Sequence, residues 1–498
     1  MEGRITCDGT ANTLRTADLS PATHLSLWAR PQEFAMPSRR KKSPQHERKR
    51  SPDPRPWPGW RFLPFVLAAV PLLYIIRVVV RFRVDVPFWD EWDLVPLVGR
   101  SYEGSFAWPQ LWAWHNEHRI FFPRAILLLL VRATGWNVSY ELAANLLVAC
   151  GICTALVWQL EHSRKAVGDR GPNWLIPVVS AMVFSLNQWG NWLCGWQISF
   201  LLNVCAVIAG LVVLASAPLQ WWRLPLALVL GLVASYSLAS GLVYWPVGLI
   251  VVGLRPGAGR REKRLHLAAW ALSGAAVVAC YLHGFRPGPY HTPLGTFLRE
   301  PAWFAGYVLT YLGAPMSREH AMLAGALGLL ALPALALVLL RQERVRLELL
   351  MPYLGLSGYA VISAGLTGTG RMSFGIAQAL SSRYIVSGNL LWISDLALLY
   401  LLVKTSRPPR AGRGIQPYLT GAGVAAVALL ACCALRSSKA AKPDLAGMSH
   451  RLAAGRAALL AGGDDEALRL IHPNPKALRE KREVLKRYHL SVFRQAGD

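Results

Sequence analysis

Residues Trp60–Val80, WRFLPFVLAAVPLLYIIRVVV, run directly into Arg81–Asp93, RFRVDVPFWDEWD. The first stretch holds about 20 mostly apolar residues, the length that crosses a bilayer core as a helix. The second sets Asp85, Asp90, Glu91 and Asp93 among Phe88, Trp89 and Trp92. An apolar span giving way to an acidic, tryptophan-rich segment places that segment at a membrane edge, where indole rings partition. Comparable apolar runs recur at about 138–160, 174–187, 197–217, 223–238, 241–254, 266–284, 320–340, 349–366, 384–403 and 416–435. With the first they make about eleven transmembrane helices and predict an all-α, polytopic membrane protein.

The composition agrees. Of 498 residues, 53% are hydrophobic and 16% charged, against about 25% charged in a soluble domain. This excludes the three or so soluble domains that the length would suggest, and it excludes a disordered chain. The net charge of +25 does not point to nucleic acid, because Lys and Arg gather in the tails and in particular short loops, as topology determinants do. The implied partner is the lipid bilayer. Cys150, Cys153, Cys205, Cys280, Cys432 and Cys433 lie within apolar runs and form no disulfide framework.

Charge bias orients the spans. With the N-terminus inside, the inner loops 161–173, 218–224, 255–265, 341–348 and 404–415 hold sixteen Lys and Arg. The later outer loops 188–196, 238–241, 285–319 and 367–383 hold five. Residues 1–58, with Arg39-Arg40-Lys41-Lys42 and Arg48-Lys49-Arg50, lack an apolar signal core and read as a disordered basic cytoplasmic tail, in which Met36 is an alternative start. Residues 59–436 form the membrane domain, with 81–124 as its first outer loop. Residues 437–498, broken at His472-Pro473-Asn474-Pro475, form a small helical outer-face tail. Ile120–Ala133 is short for a span and reads as an interfacial helix; 301–313 reads as re-entrant or interfacial.

Two clusters in the outer loop carry chemistry. If a helix starts near Pro87, Asp90 and Asp93 share a face. Carboxylates that close repel, so one titrates high or a cation lies between them. Either state suits a general base or a metal site; an acidic helix start among interfacial tryptophans is the bland alternative. His115-Asn116-Glu117-His118-Arg119 packs five polar side chains at the membrane edge. On a helix, His115 and His118 would share one face and Asn116 and Arg119 the next. The i, i+3 histidines do not match the i, i+4 spacing of zinc proteases. Gln188, Asn191 and Gln197 lie among Trp189, Trp192 and Trp196, where amides could bind sugar hydroxyls and rings stack on sugar faces. Arg371 and Arg383, the latter beside Tyr384, could hold a phosphate bidentately; Arg286 and His291 are further polar candidates. Asp395 falls inside a span and calls for a packing partner.

The Asp90-Glu91 pair opening the first outer loop, the polytopic spans, the interfacial helices and a late outer-loop arginine resemble the GT-C superfamily of integral-membrane glycosyltransferases. Protein O-mannosyltransferases and lipid A aminoarabinose transferases have an Asp-Glu pair in this place. Most of the chain also resembles a group of bacterial membrane proteins with similar PFWDEW and HNEHR segments and a tail ending near Leu490-Ser491-Val492-Phe493, a likeness that implies no substrate. The Trp-Trp-Asp signature of oligosaccharyltransferases is missing, which puts a peptide Asn acceptor in doubt.

The GT-C resemblance implies an inverting transferase in a bacterial inner membrane, with a polyprenyl-phosphate-sugar donor and a glycan, lipid or protein acceptor. Asp90 would be the base, and Glu91 would orient the acceptor or share a divalent cation, Mg or Mn, with Asp90. Arg371 or Arg383 would stabilise the leaving phosphate. Asp93, His115, Asn116, Glu117, His118, Arg119, Gln188, Asn191, Gln197 and Tyr384 would complete the substrate site. The rivals are a transporter or flippase for a lipid-linked sugar and a non-catalytic envelope-assembly protein. Against the transporter stands the absence of paired, Gly- or Pro-broken spans in matching halves.

Overall fold

The structure, a computed structural model, describes residues 58–216, 220–255, 259–285, 292–293, 295–342, 345–406 and 416–494. The basic N-terminal tail, Arg286 and His291 lie outside the described residues. Apart from one two-residue hairpin, the described secondary structure is helical. Among the described residues, eight helices are long and apolar enough to cross a bilayer: Gly59–Phe82, Val138–Ala166, Gly195–Ala215, Arg260–Leu282, Ala321–Leu340, Leu347–Phe374, Ser382–Thr405 and Thr420–Ala461.

Three expected spans are not among these eight. The run at 174–187 gives a nine-residue helix, Leu175–Val183, about 14 Å long. Ser185 then caps a 3-10 turn, Leu186–Gln188. The runs at 223–238 and 241–254 give the shorter apolar helices Arg223–Ser235 and Ala239–Leu254, the second opening with a 3-10 turn at Ala239–Val243.

Helix packing without water relies on close backbone approach. Pro301–Gly313 and Ala321–Leu340 meet at two glycines. A Cβ on Gly313 would lie 1.7 Å from the Ala321 carbonyl oxygen, and one on Gly325 would lie 1.9 Å from that of Leu309. Any larger residue would force the helices apart. Ile385–Thr405 runs through the middle of the bundle and is almost wholly buried.

The first loop is ordered by short elements. Trp89–Leu94 is a 3-10 turn, Val95–Glu103 a helix, and Trp108–Trp112 a second 3-10 turn. A helical His115–Arg119 is not what forms. Trp114–His115 and His118–Arg119 pair as an antiparallel hairpin with His115 opposite His118. Its two-residue turn puts Asn116 at φ 50°, a conformation that asparagine tolerates better than most. The segment expected as an interfacial helix is Phe121–Thr134, 14 residues long.

The expected boundary at 436/437 falls inside a helical rod. Gln416–Ala440 passes almost without interruption into Lys442–Ala461, and Ser437 is buried at the join, accepting a hydrogen bond from Asn187 (2.9 Å). The remaining tail, with helices Asp465–Arg469 and Pro475–Arg487, packs on the first loop. Tyr488 stacks on Tyr102 at 5.0 Å, and the Ser491 N–H donates to the Gly135 carbonyl. The loop and the tail therefore occupy the same face.

Candidate functional site

A cavity of about 300 Å³ opens where the first loop meets the helix ends near 196–200, 238–242, 281–285 and 366–387. Asp90, His115, Asn116, Glu117, His118, Gln197, Arg371, Arg383 and Tyr384 all line it. Nine of the fourteen residues singled out from the sequence thus converge on one space. Its remaining wall is largely apolar, with Phe200, Leu238, Leu242, Leu282, Phe285 and Leu366.

The 3-10 turn explains how the carboxylates are shared out. Residues i and i+3 nearly eclipse in a 3-10 turn, so Asp90 and Asp93 flank one imidazole. His115 Nε2 lies 3.7 Å from Asp90 Oδ2, and His115 Nδ1 lies 3.7 Å from Asp93 Oδ2. The His115 ring is buried against Trp196, 4.8 Å between centroids. Burial alone would raise the Asp90 carboxyl. The facing His115, with help from Arg383 and His118, outweighs burial and holds it below the usual carboxylate range. Asp93 turns away from the cavity towards Lys481 Nζ at 2.8 Å.

Glu91 does not reach the cavity. Its Oε2 accepts from the Phe88 N–H (2.7 Å), and its Oε1 from the Trp196 N–H (2.9 Å) and Cys194 Sγ (3.5 Å). It buckles the loop to segment 194–197. Burial pushes its carboxyl up to about 7 against the pull of those donors. The cation pair Asp90–Glu91 therefore does not fit, because both Glu91 oxygens are committed to donors. The set that fits a cation is Asp90, Asp93 and His115, whose ligand atoms all lie within 4.8 Å of one another. Two carboxylates and an imidazole suit a divalent ion.

Also in the lining, Arg371 pairs with Glu117, and His118 Nε2 lies 3.7 Å from the same carboxylate. Burial drives the His118 imidazole down to about 4, so it is neutral at pH 7, and its Nδ1 has no hydrogen-bond partner among the described residues. Arg383 makes no salt bridge among the described residues, and its Nε is buried without a hydrogen-bond acceptor. Its guanidinium rests beside the Tyr384 and Phe200 rings, 5.5 and 6.0 Å from their centroids. Tyr384 stacks on Tyr311 at 5.0 Å and accepts from Gln378 at 3.0 Å. Gln197 has a buried Oε1 with no hydrogen-bond partner among the described residues.

Three more candidates serve the framework. Arg119 is buried and spent on carbonyls: Nε donates to Tyr281 and Nη1 to Trp112, both at 2.8 Å, and Nη2 to His283. Gln188 donates to the Val183 carbonyl (2.7 Å), and Asn191 donates to Gln188 Oε1 (3.1 Å); both are fully buried. Trp192 is buried likewise, its Nε1 bonded to the Ser185 carbonyl (2.8 Å). Trp196 alone of the three tryptophans lines the cavity. Asp395, for which the sequence predicts a packing partner, is buried with both carboxylate oxygens unpartnered among the described residues.

Sequence reasoning missed Tyr281, Thr367 and Ser387 in the lining, and missed the reach of Lys481 to Asp93. Nothing local marks these residues; only the helix packing brings them in. Comparison of the chain with protein-family models, with curated proteins and with solved structures gives no match in any of the three.

Proposed function

We propose that the chain is a membrane glycosyltransferase of the GT-C type, moving a sugar from a polyprenyl-phosphate-linked donor to an envelope acceptor at the outer face. One observation carries this reading. A single cavity joins an ionised carboxylate, Asp90, to a guanidinium with no salt bridge among the described residues, Arg383, beside an apolar wall. The acceptor hydroxyl would attack the anomeric carbon as Asp90 takes its proton. The bond from that carbon to the phosphate oxygen breaks, and the charge left on the lipid phosphate is met by Arg383. Arg371 is a weaker phosphate candidate, since Glu117 already neutralises it. The apolar wall would take the first isoprene units of the donor.

The test has two arms. Mass spectrometry of envelope glycolipids and polysaccharides, with and without the gene, should show one sugar-bearing product lost. Purified chain in vesicles should release polyprenyl phosphate from a polyprenyl-phosphate-sugar donor when acceptor is present. Failure of the second arm would sink the reading.

A transporter or flippase for a lipid-linked sugar has one observation in its favour. Asp395 is a buried carboxylate inside the bundle, unpartnered among the described residues, of the kind that marks ion pathways. If that reading holds, Asp395→Asn abolishes donor movement between leaflets and no transfer is found.

A further inference from the structure

The tail beyond the last long helix reaches the first loop and its flank at several separate points. Lys481 Nζ lies 2.8 Å from Asp93 Oδ1, and Asp93 Oδ2 lies 3.7 Å from His115 Nδ1. His115 Nε2 in turn lies 3.7 Å from Asp90 Oδ2. A second link runs through the backbone: the Trp89 N–H donates to the Ile471 carbonyl at 2.9 Å. Arg494 pairs with Asp85, and Ser491 bonds the Gly135 carbonyl. The tail thus holds the loop on both sides of Asp90.

The backbone shows why a clamp is needed. Among the described residues, five non-glycine residues have positive φ: Trp89 (49°), Asn116 (50°), Trp136 (62°), His489 (51°) and Ser491 (52°). Asn116 turns the His115–His118 hairpin, and the other four lie where loop and tail meet. Left-handed backbone is costly for tryptophan and persists only when its surroundings over-determine it. Trp89 immediately precedes Asp90, so its φ sets the direction in which the Asp90 side chain leaves the loop. The Ile471 carbonyl holds that residue, and the Lys481–Asp93–His115 chain holds the side chain from the other end.

We propose that the C-terminal tail, through the Ile471 carbonyl and the Lys481 ammonium, is the positioning element that sets the Asp90 carboxylate against the cavity. The proposal rests on the transferase reading only in making Asp90 the base. Lys481 touches no substrate; it acts through Asp93 and His115.

The test uses the full chain in lipid nanodiscs. Hydrogen exchange is followed in peptides covering 88–94 and 113–119, with 385–405 as reference. Lys481→Met removes the cation and keeps the stem, Asp93→Asn breaks the same link from its other end, and Lys481→Arg keeps the cation. In the first two variants, exchange at 88–94 and 113–119 should quicken about two- to fivefold, the range carried by a half-exposed ion pair. The reference should not change, and Lys481→Arg should match the parent. In the transfer assay, Lys481→Met should lose about fivefold or more in kcat, with the donor KM unchanged because Arg383 is untouched.

Unchanged exchange at 88–94 and 113–119 overturns the proposal. So does quickened exchange in the reference helix, which would mean general loosening. So does a parental kcat alongside quickened loop exchange. A parent with no transfer activity would instead end the transferase reading, and the exchange comparison would then decide the clamp alone.

Discussion

The segment Trp89–Arg119 turns Asp90, His115, Asn116, Glu117 and His118 towards one cavity, whereas Asn187–Gln197, equally rich in tryptophan and amides, turns most of its polar atoms into the protein. The difference lies in where each backbone finds its hydrogen bonds. The first segment is held by the tail, by Glu91 reaching across to 194–197 and by Arg119, so several of its other side chains stay free. The second packs among helices, where every buried backbone group needs a partner. Its own side chains, with Asn145 from the neighbouring helix bonding the Asn191 and Cys194 carbonyls, supply them. Polar residues near a membrane edge are therefore site or brace according to what else can satisfy the local backbone.

The sharpest way to break this contrast is Asp90→Asn. It keeps shape and removes the basic oxygen, so transfer should fall by about 10²–10⁴-fold while the protein still folds and binds donor. Retention of more than about a tenth of parental turnover would remove Asp90 as base. The pH profile has a definite sign: with the Asp90 carboxyl held low, activity is retained through neutrality and lost only as pH falls through that depressed value.

Glu91→Gln tests the brace. One of the Phe88 and Trp196 N–H groups would then face an amide N–H, costing about 1–3 kcal/mol of stability. Thermal unfolding in detergent should show it, with turnover per folded molecule close to parental. Glu91 also has its folded value raised to about 7 from an ordinary 4.5. Its stabilising contribution is complete below about pH 4.5 and is lost as pH rises through 7. The Gln variant should lack that slope, and a slope unchanged by the substitution would contradict the burial of Glu91.

A smaller effect separates the two arginines. Arg383→Lys loses the planar fork, and donor affinity should fall about tenfold. Arg371→Lys should cost less, since its charge is bound to Glu117. Equal losses would mean that both hold the phosphate. Smallest of all, Asn191→Ala should cost about 1 kcal/mol of stability and leave the donor KM alone; a raised KM would move the second segment back into the site.

Patterns of residue type within a short window made the membrane class and most of the cavity edge legible in the chain. Apolar runs of about 20 residues have few alternatives to crossing a bilayer, and ionisable residues crowded at their ends have to be solvated, paired or used. Three things needed the folded molecule. Spans at 174–187, 223–238 and 241–254 became short helices, because hydropathy measures burial and not whether a helix continues through it. His115 and His118 became hairpin partners, because a five-residue polar segment carries too little periodicity to choose between helix and strand. Glu91 and Asp93 left the cavity, one for the Phe88 and Trp196 amides and one for Lys481, nearly 400 residues away.

Spacing along the chain determined that Asp90, Glu91 and Asp93 would crowd one another at a membrane edge, since neighbours on a short turn cannot separate. Which of them faces the cavity was decided by tertiary structure alone. A carboxylate goes wherever donors or cations satisfy it, and those belonged to segments 194–197, 113–119 and 471–494, which only packing brings to the loop.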